Sequence, residues 1–537
     1  MTLLLGPLLR RVVGDRATVW VETSAPATVA VRAGTGSGAA RTFTAFGRHY
    51  ALVVVDGLPA AAATPYQVLI DGEEVWPPPG YDRPAPAIRT RADAAPVRLV
   101  FGSCREASPH AVRHLPPDAL DGYAARLART GQDWPDLLML LGDQVYADAP
   151  SRRTRWWLRR RRRRAGDGKP AGQVVDFVEY ARLYHESWLD PDVRWLLSTV
   201  PSVMIFDDHE VIDDWNISAP WRAGMVRQPW WRERITAGLA SYWVYQHLGN
   251  LHPDELGADP VYPAVVSARD ATGVLREFGA GADEDRYRYR WGYALDVGRT
   301  RIVVLDNRCA RVVTPGRRAM LPDAQWEWLV GAVRDGRYDH LVLGSSLPWL
   351  MPFAVHDLEV AVSALAESRR RPAAAAGEWL RQALDLEHWP AFGHSFDALT
   401  ALLGQAATGA LGTAPASISV LSGDVHHSYV ARPDLAGAPI HQLTCSPVHN
   451  RVPGALRIAF RAAWSGAATR LGQVLCRVVR VPPTRVTWTK LAGPYFGTAV
   501  GTLVHTGRSA QVIVEGTNPS GELSGVARVP LTALPTE

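Results

Sequence analysis

Cysteine is scarce: the chain has four in 537 residues, Cys104, Cys309, Cys445 and Cys476, and no two form a CxxC pair. This excludes a disulfide-built scaffold and leaves free buried thiols as the default. Long apolar runs are missing too. No stretch approaches the roughly 20 uninterrupted apolar residues of a membrane span. The opening MTLLLGPLLRRVVGDRATVW contains paired Arg10 and Arg11, but Asp15 and Arg16 interrupt before any apolar h-region develops. A secretory leader is therefore not expected, and the chain reads as cytoplasmic, or as secreted with its leader already removed. There is no internal repeat. What is present is ordinary for a folded protein: 47% apolar and 21% charged residues, which argues against disorder. The length allows a large core and more than one domain.

The net charge is only +5, yet arginine is concentrated locally in RRTRWWLRRRRRR, residues 152–164. Such a run can neutralise phosphates of nucleic acid or an anionic surface. A solvated, mobile insertion accounts for it equally, and the loop-like RAGDGKPAG that follows favours this second reading.

Residues 1–95 carry β-branched and aromatic residues in partial alternation (RATVWVET, ATVAVRAG, YALVVVDGL, YQVLIDGEE), separated by turn-forming residues. A small sandwich of immunoglobulin or fibronectin type is expected. WPPPGYDRPAPAIRTRADAAP reads as a linker, because proline removes donors and holds the chain extended. From residue 96 short apolar strands alternate with amphipathic stretches, the pattern of an α/β domain. LDGYAARLART and LPDAQWEWLVGAVRD are expected helices. Helical inserts are expected at about 150–290 and 357–410, and strands return from about 478.

Five apolar runs end in residues able to bind a metal or a phosphate: VRLVFGSC (Cys104), DLLMLLGDQVY (Asp143, Tyr146), SVMIFDDHE (Asp207, Asp208, His209), HLVLGSS (Ser345, Ser346) and SISVLSGDVHHS (Asp424, His426, His427, Ser428). In an open α/β sheet, the carboxyl ends of strands converge on one crevice. Carboxylates, imidazoles, a thiolate and a phenol gathered there point to a metal site. Taken singly, each run has a plainer explanation. Asp143 could cap a helix beside a buried Tyr146. DDHE could be an acidic surface loop, although the apolar SVMIF before it fits that poorly, and buried unpaired charges are costly. Asp213 and Asp214 follow closely and could extend the site. Asp424 and His426, two apart in an extended segment, would face one way, with His427 facing elsewhere. Cys104 could be a small buried hydrophobe or, beside a cation, a thiolate ligand.

FGSC, GDQVYAD, DDHEV, LPDAQWEWL and SGDVHHS in this order resemble the alkaline phosphatase D (PhoD-like) family of metallophosphatases, and the resemblance covers most of the chain. It implies a metallophosphoesterase-like αββα sandwich preceded by a fibronectin-like domain, and hydrolysis of phosphate mono- or diesters. It also implies iron and calcium. Cys104, Asp143 and Tyr146 would be ferric ligands, with Asp143 bridging. Asp207, Asp208, Asp424 and His426 would be further metal candidates. His209 would face the phosphate or leaving group, and Arg105 would contact phosphate. The family often has asparagines after DDHEV; this chain has IDDW, so Asp213 or Asp214 would have to substitute. Two rivals remain at this point: a catalytically inactive phosphate- or anion-binding protein of the same fold, and a nucleic-acid-associated protein using Arg152–Arg164.

Overall fold

The computed structural model describes residues 1–108, 111–162, 168–334, 337–482 and 484–533. The alternating apolar residues near the amino terminus build two antiparallel sheets. One runs Leu3–Val13, Arg16–Thr23, Arg48–Val55 and Phe43–Ala45. The other runs Gly36–Arg41, Thr28–Ala33, Ala63–Ile70 and Glu73–Trp76. Val19, Val21 and Val53 of the first sheet and Val29, Val31 and Val68 of the second fill a shared core. The proline-rich stretch expected to be a linker contributes a strand of its own. Ala87–Arg89 pairs with Ala63–Ile70, since the prolines flank this tripeptide and leave its backbone free to pair.

Two larger sheets form the rest. The first has the order Ser202–Ile205, Leu137–Leu141, Val97–Gly102, Ala499–Thr506, Ser509–Thr517 and Leu523–Pro530. Its first three strands are parallel, and the returning carboxyl-terminal strands complete it. The second has the order Tyr293–Val297, Thr300–Val304, His340–Gly344, Ser417–Ser422, Ile440–Thr444, Ser428–Pro433 and Trp488–Tyr495. The strands from Thr300 to Thr444 on that path are parallel neighbours. They are continuous apolar runs because both faces are covered. Leu99, Phe101, Met139 and Ile205 of one sheet pack with Ile302, Val342, Leu421 and Leu443 of the other in one cluster, so the sheets lie face to face. Asp323–Arg334 and Ala119–Thr130 are helical. The fold is thus an αββα sandwich with an added β-sandwich.

The arginine run is not a loose insertion. Arg152–Arg162 is a helix, with Thr154 and Leu158 buried. Arg162 binds the carboxylate of Glu179, which is itself buried in the capping box of the helix Phe177–Trp188, and Arg161 reaches Asp176 (2.5 Å). These pairs anchor one side of the helix and leave Arg152, Arg153, Arg159 and Arg160 exposed. Arg163 and Arg164, like Ala165, Gly166 and Asp167, lie outside the described residues.

Arg10 and Arg11 are buried in the first strand. The Arg10 guanidinium donates to the carbonyls of Ser202 (3.0 Å), Tyr245 (3.2 Å) and Gln246 (2.8 Å) and to Asn250 Oδ1 (3.1 Å). They clamp the amino-terminal sandwich onto the edge of the first large sheet. Glu22 is a second tie. It is fully buried and paired with Arg48 (2.5 Å) and His185 (2.8 Å), and it accepts from the Tyr245 hydroxyl (3.1 Å). Burial alone would raise the Glu22 carboxyl, but His185 and Arg48 outweigh it and hold it below its ordinary 4.5. A depressed carboxylate contributes stability that is full above pH 4.5 and is lost as pH falls through the lower folded value. Glu22→Gln is expected to cost about 2 kcal/mol at pH 7. The gap in thermal midpoint from the parent protein should narrow in acid, and an equal gap at pH 7 and pH 3 would contradict this ion pairing.

Candidate metal centre

The carboxyl ends of both large sheets meet in one crevice. Cys104 and Asp143 follow parallel strands of the first sheet, and Asp207 follows the next. Arg308 and Asp424 follow strands of the second. Two glycines permit the close approach. Gly142 has φ +107°, and a Cβ there would lie 2.6 Å from the Asp207 Cβ. A Cβ on Gly423 would lie 2.0 Å from Ser103 Oγ. Residues around the crevice carry unusual backbone. Cys104 (φ 58°), Asp143 (53°), Asp214 (64°), Asn216 (63°), Asp424 (64°) and His426 (50°) are all left-handed without being glycine. Such strain persists only where surrounding contacts enforce it, and it gathers at functional sites. The extended conformation expected for Asp424–His426 is therefore replaced by a turn. The strand ends at Ser422, and the His426 N–H donates to the Asp424 carbonyl (2.8 Å).

Glu210 locks the turns together. Its carboxylate accepts the backbone N–H groups of Asp143 (3.0 Å), Gln144 (2.7 Å) and Asp207 (2.8 Å). The Asp424 N–H donates to Ser103 Oγ (3.1 Å). Asn450 Nδ2 donates to the Tyr146 hydroxyl (3.1 Å). His209 Nδ1 is held by Asp148 at 3.0 Å from each carboxylate oxygen.

Two donor sets result. Asp143, Asp208 and His209 offer ligand atoms within 4.8 Å of one another, and so do Asp207, Asp208 and Asp424. Both sets can hold a cation. Asp143 Oδ1 and Asp207 Oδ2 are buried with no hydrogen-bond partner among the described residues. Burial, then the Cys104 charge, pushes the Asp143 carboxyl well above the carboxylate range. Burial and Asp424 push the Cys104 thiol to about 12, and burial and Asp143 raise the Tyr146 phenol. These are the shifts of acid groups crowded together with too little positive charge to offset them, and a cation among them reverses each one. Carboxylate, phenolate, thiolate and imidazole donors suit a transition metal.

One positive charge is already built in. Arg308 is fully buried and binds Asp207, with Glu387 at 2.5 Å, Asp424 at 3.4 Å and Asp208 at 3.5 Å. His388 bridges Asp424 (3.2 Å) and the buried Glu359 (2.7 Å). Burial would raise Asp424, but His388 and Arg308 hold it well below its usual range.

The remaining expected residues fall as follows. Arg105 donates to Asp118 (2.7 Å) and the Ser187 carbonyl (2.7 Å), so its charge is spent on the scaffold rather than on phosphate. Asp214 holds Asp208 through its backbone N–H (2.9 Å), and burial beside Glu387 and Asp385 raises its own carboxyl to about 9. The Asp213 side chain is 63% exposed, 3.7 Å from His209 Nε2. His427 Nδ1 pairs with the Val425 carbonyl (2.7 Å), turned from the donor sets. Ser345 and Ser346 hydrogen-bond Asn307. Sequence reasoning missed Arg308, Glu387, His388, Asp148, Glu210 and Asn450. Arg308 had a signal, since RIVVLDNR is a sixth apolar run with a polar end.

Gly142→Ala forces Asp207 to move or the turn to relax. Metal affinity should fall about tenfold or more by titration of the metal-free protein, with the circular dichroism spectrum retained. Unchanged affinity would contradict the close packing of these two turns.

Residues 1–88 match a domain of unknown function (DUF7800), and residues 99–465 match the family model of PhoD-like phosphatases. No curated protein matches the chain. A solved structure of PhoD is similar at a TM-score of 0.58 and 12% identity, covering 98% of this chain and 88% of that one. The purple acid phosphatase PPD1 from yellow lupin (Lupinus luteus) seeds is similar at a TM-score of 0.49 and 11% identity, covering 98% of this chain and 74% of that one. The family match spans most of the chain and encloses every strand end that builds the centre, so the chain belongs to the PhoD-like phosphatase family and is a phosphoesterase.

Proposed function

We propose that this phosphoesterase hydrolyses phosphate mono- and diesters at a centre of two cations: a ferric ion held by Cys104, Asp143 and Tyr146, and calcium held by Asp207, Asp208, Asp424 and His426. The observation that carries the reading is the pair of buried, unpartnered carboxylate oxygens on Asp143 and Asp207 beside a buried thiol and phenol. When bound, the cations supply positive charge to the phosphoryl oxygens and make water acidic enough to attack near neutral pH.

The chain's own groups do the rest. Asn450 fixes the Tyr146 hydroxyl, and Glu210 fixes the Asp143 turn. Asp148 holds His209 through Nδ1, which leaves Nε2 to face a phosphate oxygen or the leaving group. Water adds to phosphorus and gives up a proton to solvent, the ester P–O bond breaks, the departing oxygen takes a proton from His209 Nε2, and solvent reprotonates His209. Arg308 sets the terms for calcium. Its guanidinium already neutralises Asp207, Asp208 and Asp424, so calcium must compete with it for these oxygens. Calcium also prefers six to eight oxygen ligands, and these three carboxylates reach six only if Arg308 releases the oxygens it holds. Calcium should therefore leave on dialysis against a chelator while iron stays.

Two results test this. Asp143→Asn should lower kcat for a chromogenic phosphodiester by at least about 1,000-fold while circular dichroism is unchanged. Activity within tenfold of the parent would overturn the role of Asp143. Elemental analysis should find iron in the purified protein, and its absence from a fully active preparation would overturn the ferric assignment.

A further inference from the structure

Two helices immediately after the centre, Gly454–Ala463 and Gly466–Val478, expose apolar residues where a folded protein normally buries them. Ile458 is 71% exposed, Leu471 72%, Val474 50% and Val478 73%. These positions form stripes. Ala455, Ile458, Ala459 and Ala462 recur at three and four residues along the first helix, and Ala467, Leu471, Val474 and Val478 do so along the second. The opposite face of the second helix is the one that packs: Gly472 and Cys476 are buried, with Gly472 against Asp357 of the helix Phe353–Ala366. The outward stripe is therefore not a misplaced core face.

Charge is one-sided as well. Residues 451–485 contain seven arginines and no acidic residue, and no Asp or Glu occurs from 435 to 514. Arg470 and Arg477 are exposed and, at helical spacing, run along one flank of the Leu471–Val478 stripe. No helix among the described residues is long and apolar enough to cross a membrane.

From this combination we infer that the helical pair 454–478 docks the protein on an anionic phospholipid bilayer, its aliphatic stripes entering the headgroup boundary and its arginines pairing with lipid phosphates. Charge decides between occupants. A second copy would oppose arginine to arginine across a two-fold interface, with no acid in the element to compensate. Nucleic acid would use the arginines but gives aliphatic stripes nothing to enter.

Docking would also orient the centre. The Asn450 that holds Tyr146 lies four residues before the first helix, and the neighbouring His449 carbonyl accepts the Glu106 N–H (2.8 Å). Arg155 of the arginine helix and Arg451 both act on the Glu106 carboxyl, so two basic elements border this rim. The phosphate esters reached first would be those carried at the bilayer surface.

The test is co-sedimentation of the full chain with vesicles of phosphatidylglycerol and phosphatidylcholine, against phosphatidylcholine alone, at physiological salt. This readout does not depend on turnover or on the metals. The parent protein should bind the mixed vesicles at least about tenfold more strongly than the neutral ones. Leu471→Ser/Val474→Ser/Val478→Ser should lose about tenfold in vesicle binding while still hydrolysing a soluble phosphodiester, which shows that it folds. Arg470→Gln/Arg477→Gln should lose the lipid preference. No binding of the parent to the mixed vesicles would overturn the inference, as would binding unchanged in both variants. It would also fall if light scattering showed a dimer that the triple variant dissociates, or if duplex DNA bound through the same arginines while vesicles did not.

Discussion

Carboxylates buried side by side are the constraint on which the rest of the molecule depends. Asp143, Asp207, Asp208 and Glu387 are buried, and the partly buried Asp424 and Asp214 lie beside them. Each charge taken out of water costs several kcal/mol unless a positive partner meets it. The fold answers in two ways. It brings Arg308 into the cluster from the second sheet, and His388 from the helical insert, to pair Asp207, Asp424 and Glu387. It leaves Asp143 Oδ1 and Asp207 Oδ2 without a hydrogen-bond partner among the described residues, with Cys104 and Tyr146 beside Asp143. The division separates a half of the centre that protein charge already neutralises from a half whose buried oxygens have no partner among the described residues.

Holding such a cluster together requires a stiff frame. The two large sheets supply the directions, because their parallel strands all deliver their carboxyl ends to one side. The turns supply the placement, through Glu210 and through left-handed residues that cost conformational energy. The amino-terminal sandwich is tied into this frame by Arg10, Arg11 and Glu22, so it braces the catalytic sheets rather than hanging from them.

Much of the centre was legible in the sequence because its residues end apolar strand runs, and strand ends in such folds converge. That rule singles out Cys104, Asp143, Tyr146, Asp207, Asp208 and Asp424, and the structure brings them to one crevice. Arg308 obeys the same rule but was passed over, since an arginine looks like a surface residue until its acidic partners are known. Glu387 and His388 had no such mark. They sit between helices in an Ala-rich stretch, where Glu359 of Phe353–Ala366 holds His388, and Arg308 and Arg311 hold Glu387. The Asp424–His426 turn was misread because strand periodicity was carried two residues beyond the strand. Arg105 was misread because a basic residue beside a metal ligand suggests phosphate, whereas Asp118 and Ser187 claim it first. The arginine run was misread because its acidic partners, Asp176 and Glu179, lie more than ten residues further along the chain.

The central claim is that the unanswered half of the centre holds a ferric ion with Tyr146 as a phenolate ligand. The most direct measurement is the visible absorption spectrum of aerobically purified protein beside its Tyr146→Phe variant at matched iron content. The expected result is a phenolate-to-iron charge-transfer band in the parent that vanishes in the variant. An iron-loaded parent without that band, or a band unchanged by Tyr146→Phe, would contradict it.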